Sequence, residues 1–110
     1  MTVTFEIEGQ EFVALNGGPL FKFSEAISFM VKCETQQEID EMWEKLSQGG
    51  VKGQCGWLKD KYGLSWQIVV PVLDEMLQDK DSEKTNRVMQ ALLQMDKLDI
   101  KRLKQAYEHK

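Results

Sequence analysis

Gln67 stands mid-way along Leu64-Ser65-Trp66-Gln67-Ile68-Val69, a polar amide with large apolar residues on both sides. Side chains of an extended segment alternate between faces. Leu64, Trp66 and Ile68 then share one face, and Ser65, Gln67 and Val69 the other. Gln67 is either a strand amide that bonds to a neighbour or to water, or a polar group aimed into a pocket. In the second case the chemistry is recognition of a small molecule. Gln67, Ser65 and Ser28 would supply a few oriented polar groups, and Trp57, Tyr62 or Trp66 the apolar walls. Aromatic residues in a sheet are also ordinary core, so spacing alone leaves both readings open.

Covalent and metal chemistry find less support. Cys33 and Cys55 form no C-x-x-C pair, and the single histidine, His109, sits in a charged tail. That composition argues against a Cys/His zinc site and against a triad built on a positioned imidazole. We assign no catalytic residue, no metal ligand and no cofactor. Gly17-Gly18 precedes Pro19, and Gly49-Gly50 ends a helical pattern. Neither opens a helix after a strand, as a Rossmann-type methyltransferase or dehydrogenase requires.

Bulk properties narrow the class. The chain has 110 residues, of which 42% are apolar and 29% charged, the balance of one globular domain. A net charge of -4 with lysines interleaved among acids argues against nucleic acid as a partner. The start, MTVTFEIEGQ, lacks a basic, apolar leader, and no apolar run approaches the roughly 20 residues of a membrane helix. We expect a cytoplasmic protein, no membrane association, and both cysteines as free thiols.

These residues must be placed by a definite set of elements. Val3, Phe5 and Ile7 alternate with polar residues, and Glu11 to Asn16 repeats the pattern after Glu8-Gly9-Gln10, which predicts a hairpin. Asn16-Gly17-Gly18-Pro19 breaks the chain, and Leu20 to Phe23 reads as a loop with apolar anchors. Ile27, Phe29 and Val31 mark a third strand, with Ala26, Ser28 and Met30 on its other face. Thr35 and Glu38 form a capping box for a helix whose face is Ile39, Met42, Trp43 and Leu46, a core stripe rather than a cofactor site. Gly49-Gly50 ends it. Strands follow over Cys55 to Lys59 and Leu64 to Val69, with room for another at 51–54. Pro71 closes the sheet region. Leu73, Met76 and Leu77 then make a short helix, Val88, Leu92 and Met95 a longer apolar stripe beside Met89 and Leu93, and Asp99 caps a last helix.

Three segments together, EFVALNGGPLFKFSEAISFMV, CETQQEIDEMWEKL and QCGWLKDKYGLSWQIV, resemble the PhnB-like branch of the vicinal oxygen chelate superfamily, the glyoxalase and bleomycin-resistance fold. Members of this branch often carry the name 3-demethylubiquinone-9 3-methyltransferase. The resemblance covers nearly the whole chain. It implies an α+β fold of glyoxalase-like βαβββ modules forming a curled mixed sheet, with C-terminal helices. Residues 1–18 would be a hairpin from an incomplete first module, 24–71 the second module, and 72–110 the C-terminal helices. By that comparison the chain is N-terminally truncated or started late.

The resemblance also bears on Gln67. In metal-binding relatives a Glu ligand stands there, after a turn here written Asp60-Lys61-Tyr62-Gly63, and its partner ligand falls at Ala26. An alanine has no donor atom, and an amide carbonyl is a weaker ligand than a carboxylate. The expectation is therefore a small-molecule binding or sequestering module without metal, leaning away from an enzyme, with Gln67, Ser65, Ser28, Trp57, Tyr62 and Trp66 as cup-facing candidates. The alternative is a metal-dependent glyoxalase- or dioxygenase-type enzyme. Superfamily members commonly pair modules across dimers, which implies a homodimer with strand or hairpin exchange.

Overall fold

The computed structural model describes residues 1–15 and 17–109, with the side chain of Leu20 outside the described set. β1 (Thr2–Ile7) and β2 (Gln10–Leu15) pair antiparallel. Glu8 and Gly9 connect them with φ of 49° and 81°, the pair of left-handed residues that a tight hairpin turn requires. Phe5 stacks on Phe12 at 5.5 Å between ring centroids, and Phe12 meets Phe29 of the second sheet at 5.6 Å. Beyond that aromatic contact much of the hairpin stands out from the body. Val3, Ile7, Val13 and Leu15 are exposed, and the molecule is 54 Å long against 27 and 24 Å in its other directions. Asn16, expected to end β2, lies outside the described residues.

Two expectations fail in the segment that follows. A 3-10 turn spans Gly18–Leu20 within what reads as plain loop, because Pro19 pre-sets the backbone angle such a turn needs. Phe21 and Phe23 are not anchors but are 82% and 62% exposed. The projecting hairpin leaves them largely uncovered among the described residues.

The second sheet has the order β3 (Ser28–Lys32), β6 (Ser65–Val69), β5 (Trp57–Lys59), β4 (Val51–Lys52). β3 and β6 run parallel, and the other neighbours antiparallel. With α1 (Gln36–Ser47) between β3 and β4, this is the βαβββ module in a mixed sheet that the resemblance implies. β4 is the strand for which 51–54 left room. β5 begins at Trp57 rather than Cys55, since Cys55 and Gly56 have φ of 58° and 83°, which no strand accommodates.

α1 forms where its cap and stripe place it. Thr35 Oγ1 accepts from the Glu38 N–H at 3.2 Å. The return bond of the capping box runs from the Thr35 hydroxyl to the Glu38 carboxylate at 3.3 Å, not from the Thr35 backbone. Gly49, at φ 76°, takes the left-handed position that ends the helix. Ile39 and Trp43 bury against Leu58 and Ile68 of the sheet, each aliphatic side chain contributing about 1.5–3 kcal/mol.

Three further helices complete the chain: α2 (Pro71–Leu77), α3 (Ser82–Leu93) and α4 (Ile100–Glu108). Pro71 does more than end the sheet; it is the first residue of α2, where a missing N–H costs nothing. Asp81 and Asp99 cap α3 and α4 with their carboxylates. Val88, Leu98 and Leu103 join Cys33, Ile39 and Val70 in the same core. α3 stops at Leu93, so Met95 is buried from the following connection rather than from the helix, while Met89 and Leu93 face outward. That connection is tied to the module. The Cys55 N–H donates to the Met95 carbonyl at 2.9 Å and the Gly56 N–H to the Asp96 carbonyl at 2.8 Å. A side chain at Gly56 would begin 2.7 Å from the Ile68 carbonyl oxygen, so the close approach needs glycine. Both cysteines are free thiols, and burial pushes the Cys33 thiol above its ordinary pKa. Among the described residues no helix is long and apolar enough to cross a membrane.

Candidate ligand-binding face

Strand register divides the candidates. Trp66 and Ile68 turn toward α1 with Leu58, Phe29 and Val31. Ser65, Gln67 and Val69 therefore turn away from α1, together with their register partners Ser28 and Met30 on β3 and Lys59 and Trp57 on β5. Four of the six candidates, Ser28, Trp57, Ser65 and Gln67, thus share one face. Gln67 Nε2 donates to Ser28 Oγ at 2.8 Å.

The other two candidates lie elsewhere. Trp66 is on the opposite face, edge-on to Phe29 at 5.3 Å, and its indole N–H donates to Asp60 Oδ2 at 2.9 Å. One residue of alternation separates it from Gln67, so it cannot wall the same pocket. Tyr62 sits in the turn, 72% exposed, under the ammonium of Lys61 at 5.2 Å from its ring centre. Asp60 builds that turn: its Oδ1 accepts from the N–H groups of Tyr62 and Leu64 at 2.9 and 3.1 Å.

Ser65 is the unusual residue of the open face. It is 1% exposed, and its Oγ has no hydrogen-bond partner among the described residues. A buried polar group left unmatched costs about 1–3 kcal/mol, so native chains seldom retain one without a use. Ser65 borders a cavity of about 270 Å³, together with Glu25, Val51, Gly53, Trp57, Leu58 and Lys59. That lies close to the lower end of small-molecule sites, roughly 300 Å³. Lys59 and Glu25 form an ion pair, which holds the Glu25 carboxyl below its ordinary pKa, first through the hydrogen bond from Lys59.

Sequence reasoning did not single out Lys59 and Glu25. Lys59 was legible, since it lies two residues from Trp57 on the same strand and so on the same face. Glu25 comes from the turn before β3, and only the parallel β3–β6 pairing brings it to β5. A larger depression of about 700 Å³ lies between α3 and α4, but its guanidinium, Arg87, is already engaged with the carbonyls of Ala106 and Tyr107 at 2.9 and 3.1 Å. We place the site at Ser65 instead.

The residues at the positions of the superfamily's metal ligands do not fit a metal. Ala26 offers only a methyl group, and Gln67, whose amide nitrogen donates to Ser28, has only a neutral carbonyl oxygen to offer, a weaker ligand than a carboxylate. Among the described residues no three His, Cys, Asp or Glu side chains come together.

The family model for 3-demethylubiquinone-9 3-methyltransferase matches residues 1–69. Among solved structures, a PhnB protein from Bacillus cereus, described as a 3-demethylubiquinone-9 3-methyltransferase, superposes with a TM-score of 0.58 at 38% sequence identity. The match covers 64% of this chain and 64% of that one, so the chain spans somewhat less than two thirds of its length. No curated protein matches. The family match takes in the hairpin and the whole βαβββ module and leaves α2 to α4 outside it. The chain belongs to the PhnB-like, 3-demethylubiquinone-9 3-methyltransferase family, built on a glyoxalase-like fold.

Proposed function

We propose that the protein is a binding or sequestering module for a small organic molecule, held on the open face of the βαβββ sheet without metal. The observation that carries this reading is the buried, unpartnered hydroxyl of Ser65 beside Trp57 in a cavity of about 270 Å³. The Ser65 hydroxyl is closed off from solvent as the protein stands, so a ligand in the adjoining cavity reaches it only as the wall yields, and there it meets a donor that the protein does not use. The Trp57 indole adds a large apolar surface at little entropic cost. The family's name points to methyl transfer. Here β3 leads into α1 through Cys33, Glu34 and Thr35, which offers no glycine-rich phosphate-binding turn of the Rossmann kind and gives that activity no support.

Titration with benzyl alcohol, a neutral probe with one hydroxyl and one ring, tests the reading by NMR. Shifts confined to the Trp57 indole and the Ser65 and Gly53 amides are expected. An unperturbed spectrum at millimolar probe would remove it. Stoichiometric zinc, nickel or manganese in purified protein, with turnover of the methylglyoxal-glutathione hemithioacetal, would favour an enzyme of the glyoxalase type instead.

The same reading includes a symmetric homodimer in which the β1–β2 hairpin completes a partner's sheet. Its support is the hairpin itself. A two-stranded hairpin is marginal alone in water, and among the described residues this one leaves both outer edges unpaired with Val3, Ile7, Val13 and Leu15 exposed.

A further inference from the structure

Glu25 and Lys59 are the charged residues that border the Ser65 cavity. Lys59 pairs in register with Ser65, and Trp57 stands two residues back on the same strand. An ammonium, an unsatisfied hydroxyl and an indole therefore stand together on one face. That set suits a ligand with an anionic end and a ring or other apolar body. The ammonium already holds a carboxylate, that of Glu25. Glu25 lies in the irregular turn between the 3-10 segment and β3, and its side chain is 60% exposed. It can turn to water without disturbing any strand, whereas the backbones of Lys59 and Ser65 are held by the sheet.

Resting on the binding role proposed above, we propose that the cavity takes a small carboxylate-class anion with an apolar or aromatic body, and that Glu25 is a built-in competitor that occupies Lys59 until the ligand displaces it. The ligand carboxylate accepts from the Lys59 ammonium and its body lies against Trp57, and the Ser65 hydroxyl, shut off from solvent before binding, becomes a second donor only as the cavity wall yields. Glu25 moves into solvent as it binds. The charge of the site is the same before and after the exchange of one carboxylate for the other, apart from the freed Glu25. Selectivity for anions is therefore set by Lys59 against a standing rival.

The experiment compares benzoate with benzyl alcohol on the full chain, with Glu25→Gln and Lys59→Met variants, read by NMR at the Trp57 indole and Ser65 amide. Benzoate should bind more tightly than benzyl alcohol. Glu25→Gln should tighten benzoate by about 1.4-fold to fivefold, the range of one exposed charge pair, and leave benzyl alcohol unchanged. Lys59→Met should erase the difference between the probes. The benzoate preference should also fade as salt is raised, since both partners reach solvent. Equal binding of the two probes, with no effect of Glu25→Gln, overturns the anionic assignment while the pocket itself stands. Binding of neither probe removes both the pocket and its charge preference. If Lys59→Met does not fold, the response to Glu25→Gln and to salt decides alone.

Discussion

Gln36 and Ile100, 64 positions apart, share a hydrogen bond of 2.8 Å in which the backbone N–H of Ile100 donates to the Gln36 side-chain oxygen. The nitrogen of the same amide donates to the Leu98 carbonyl at 2.9 Å and to Asp40 at 3.0 Å. One side chain in the first turn of α1 thus holds the start of α4. Gln36→Leu leaves a part-buried N–H and C=O unmatched, which costs about 1–3 kcal/mol. Urea unfolding should show the loss, and native-state hydrogen exchange should place the largest increase in the first turn of α4. A loss spread evenly over all helices would mean that Gln36 is not the tie.

Ser65→Ala tests the open face from the side of stability. Removing an unmatched buried hydroxyl relieves its desolvation, so we expect a gain of about 1 kcal/mol. The same change should weaken benzyl alcohol binding. A variant that loses stability would show that the hydroxyl has a partner in the folded protein.

The Tyr107 hydroxyl donates to the Asp79 carboxylate, which gives the helical tail a pH dependence with two limbs. The bond holds the Asp79 pKa below its ordinary 3.8. Its contribution is therefore present above that value and lost as pH falls through the depressed pKa. The same bond raises the Tyr107 pKa above 10.0. Its contribution is then present below pH 10 and lost as pH rises through the elevated value. Tyr107→Phe should flatten both limbs of a stability-against-pH curve and leave the neutral range with a small constant offset. Limbs of unchanged steepness in the variant would assign them to other groups.

The hairpin leads to a prediction about assembly. If it completes a partner's sheet, sedimentation at micromolar concentration should show a dimer, and the interface should exceed roughly 2,000 Å², the size of obligate contacts. Val3→Lys with Val13→Lys should dissociate it. A well-folded monomer in the parent protein would show that the hairpin needs no second chain.

The legible and illegible parts of the molecule separate by physical cause. Local signals read well. The Thr35 cap, the Ile39–Trp43 stripe and the alternation through Gln67 placed α1 and β6, because capping and period-two patterning act within a few residues. The βαβββ order and the α+β class followed from those elements and from the resemblance. Signals that depend on distant partners did not read. Phe21 and Phe23 look like anchors until the hairpin projects and leaves them bare. Cys55 looks like a strand residue until its N–H is seen bound to Met95. Of the candidate site, Ser28, Trp57, Ser65 and Gln67 were placed together by alternation, while Trp66 failed the same rule. Glu25 was invisible, since its approach to Lys59 exists only once β3 and β6 have paired.

The bonds from Cys55 and Gly56 to the Met95 and Asp96 carbonyls also set a timetable. The loop that starts β5 is synthesised first, and its partners arrive 40 residues later at Gly56→Asp96. At about 5–20 residues per second the ribosome leaves that loop unanchored for roughly 2–8 s. During this interval α1, already synthesised, covers Leu58 and Ile68, while the places of Val88, Leu98 and Leu103 in the same core stay open. The core of the module is thus closed at a moment set by translation as well as by folding.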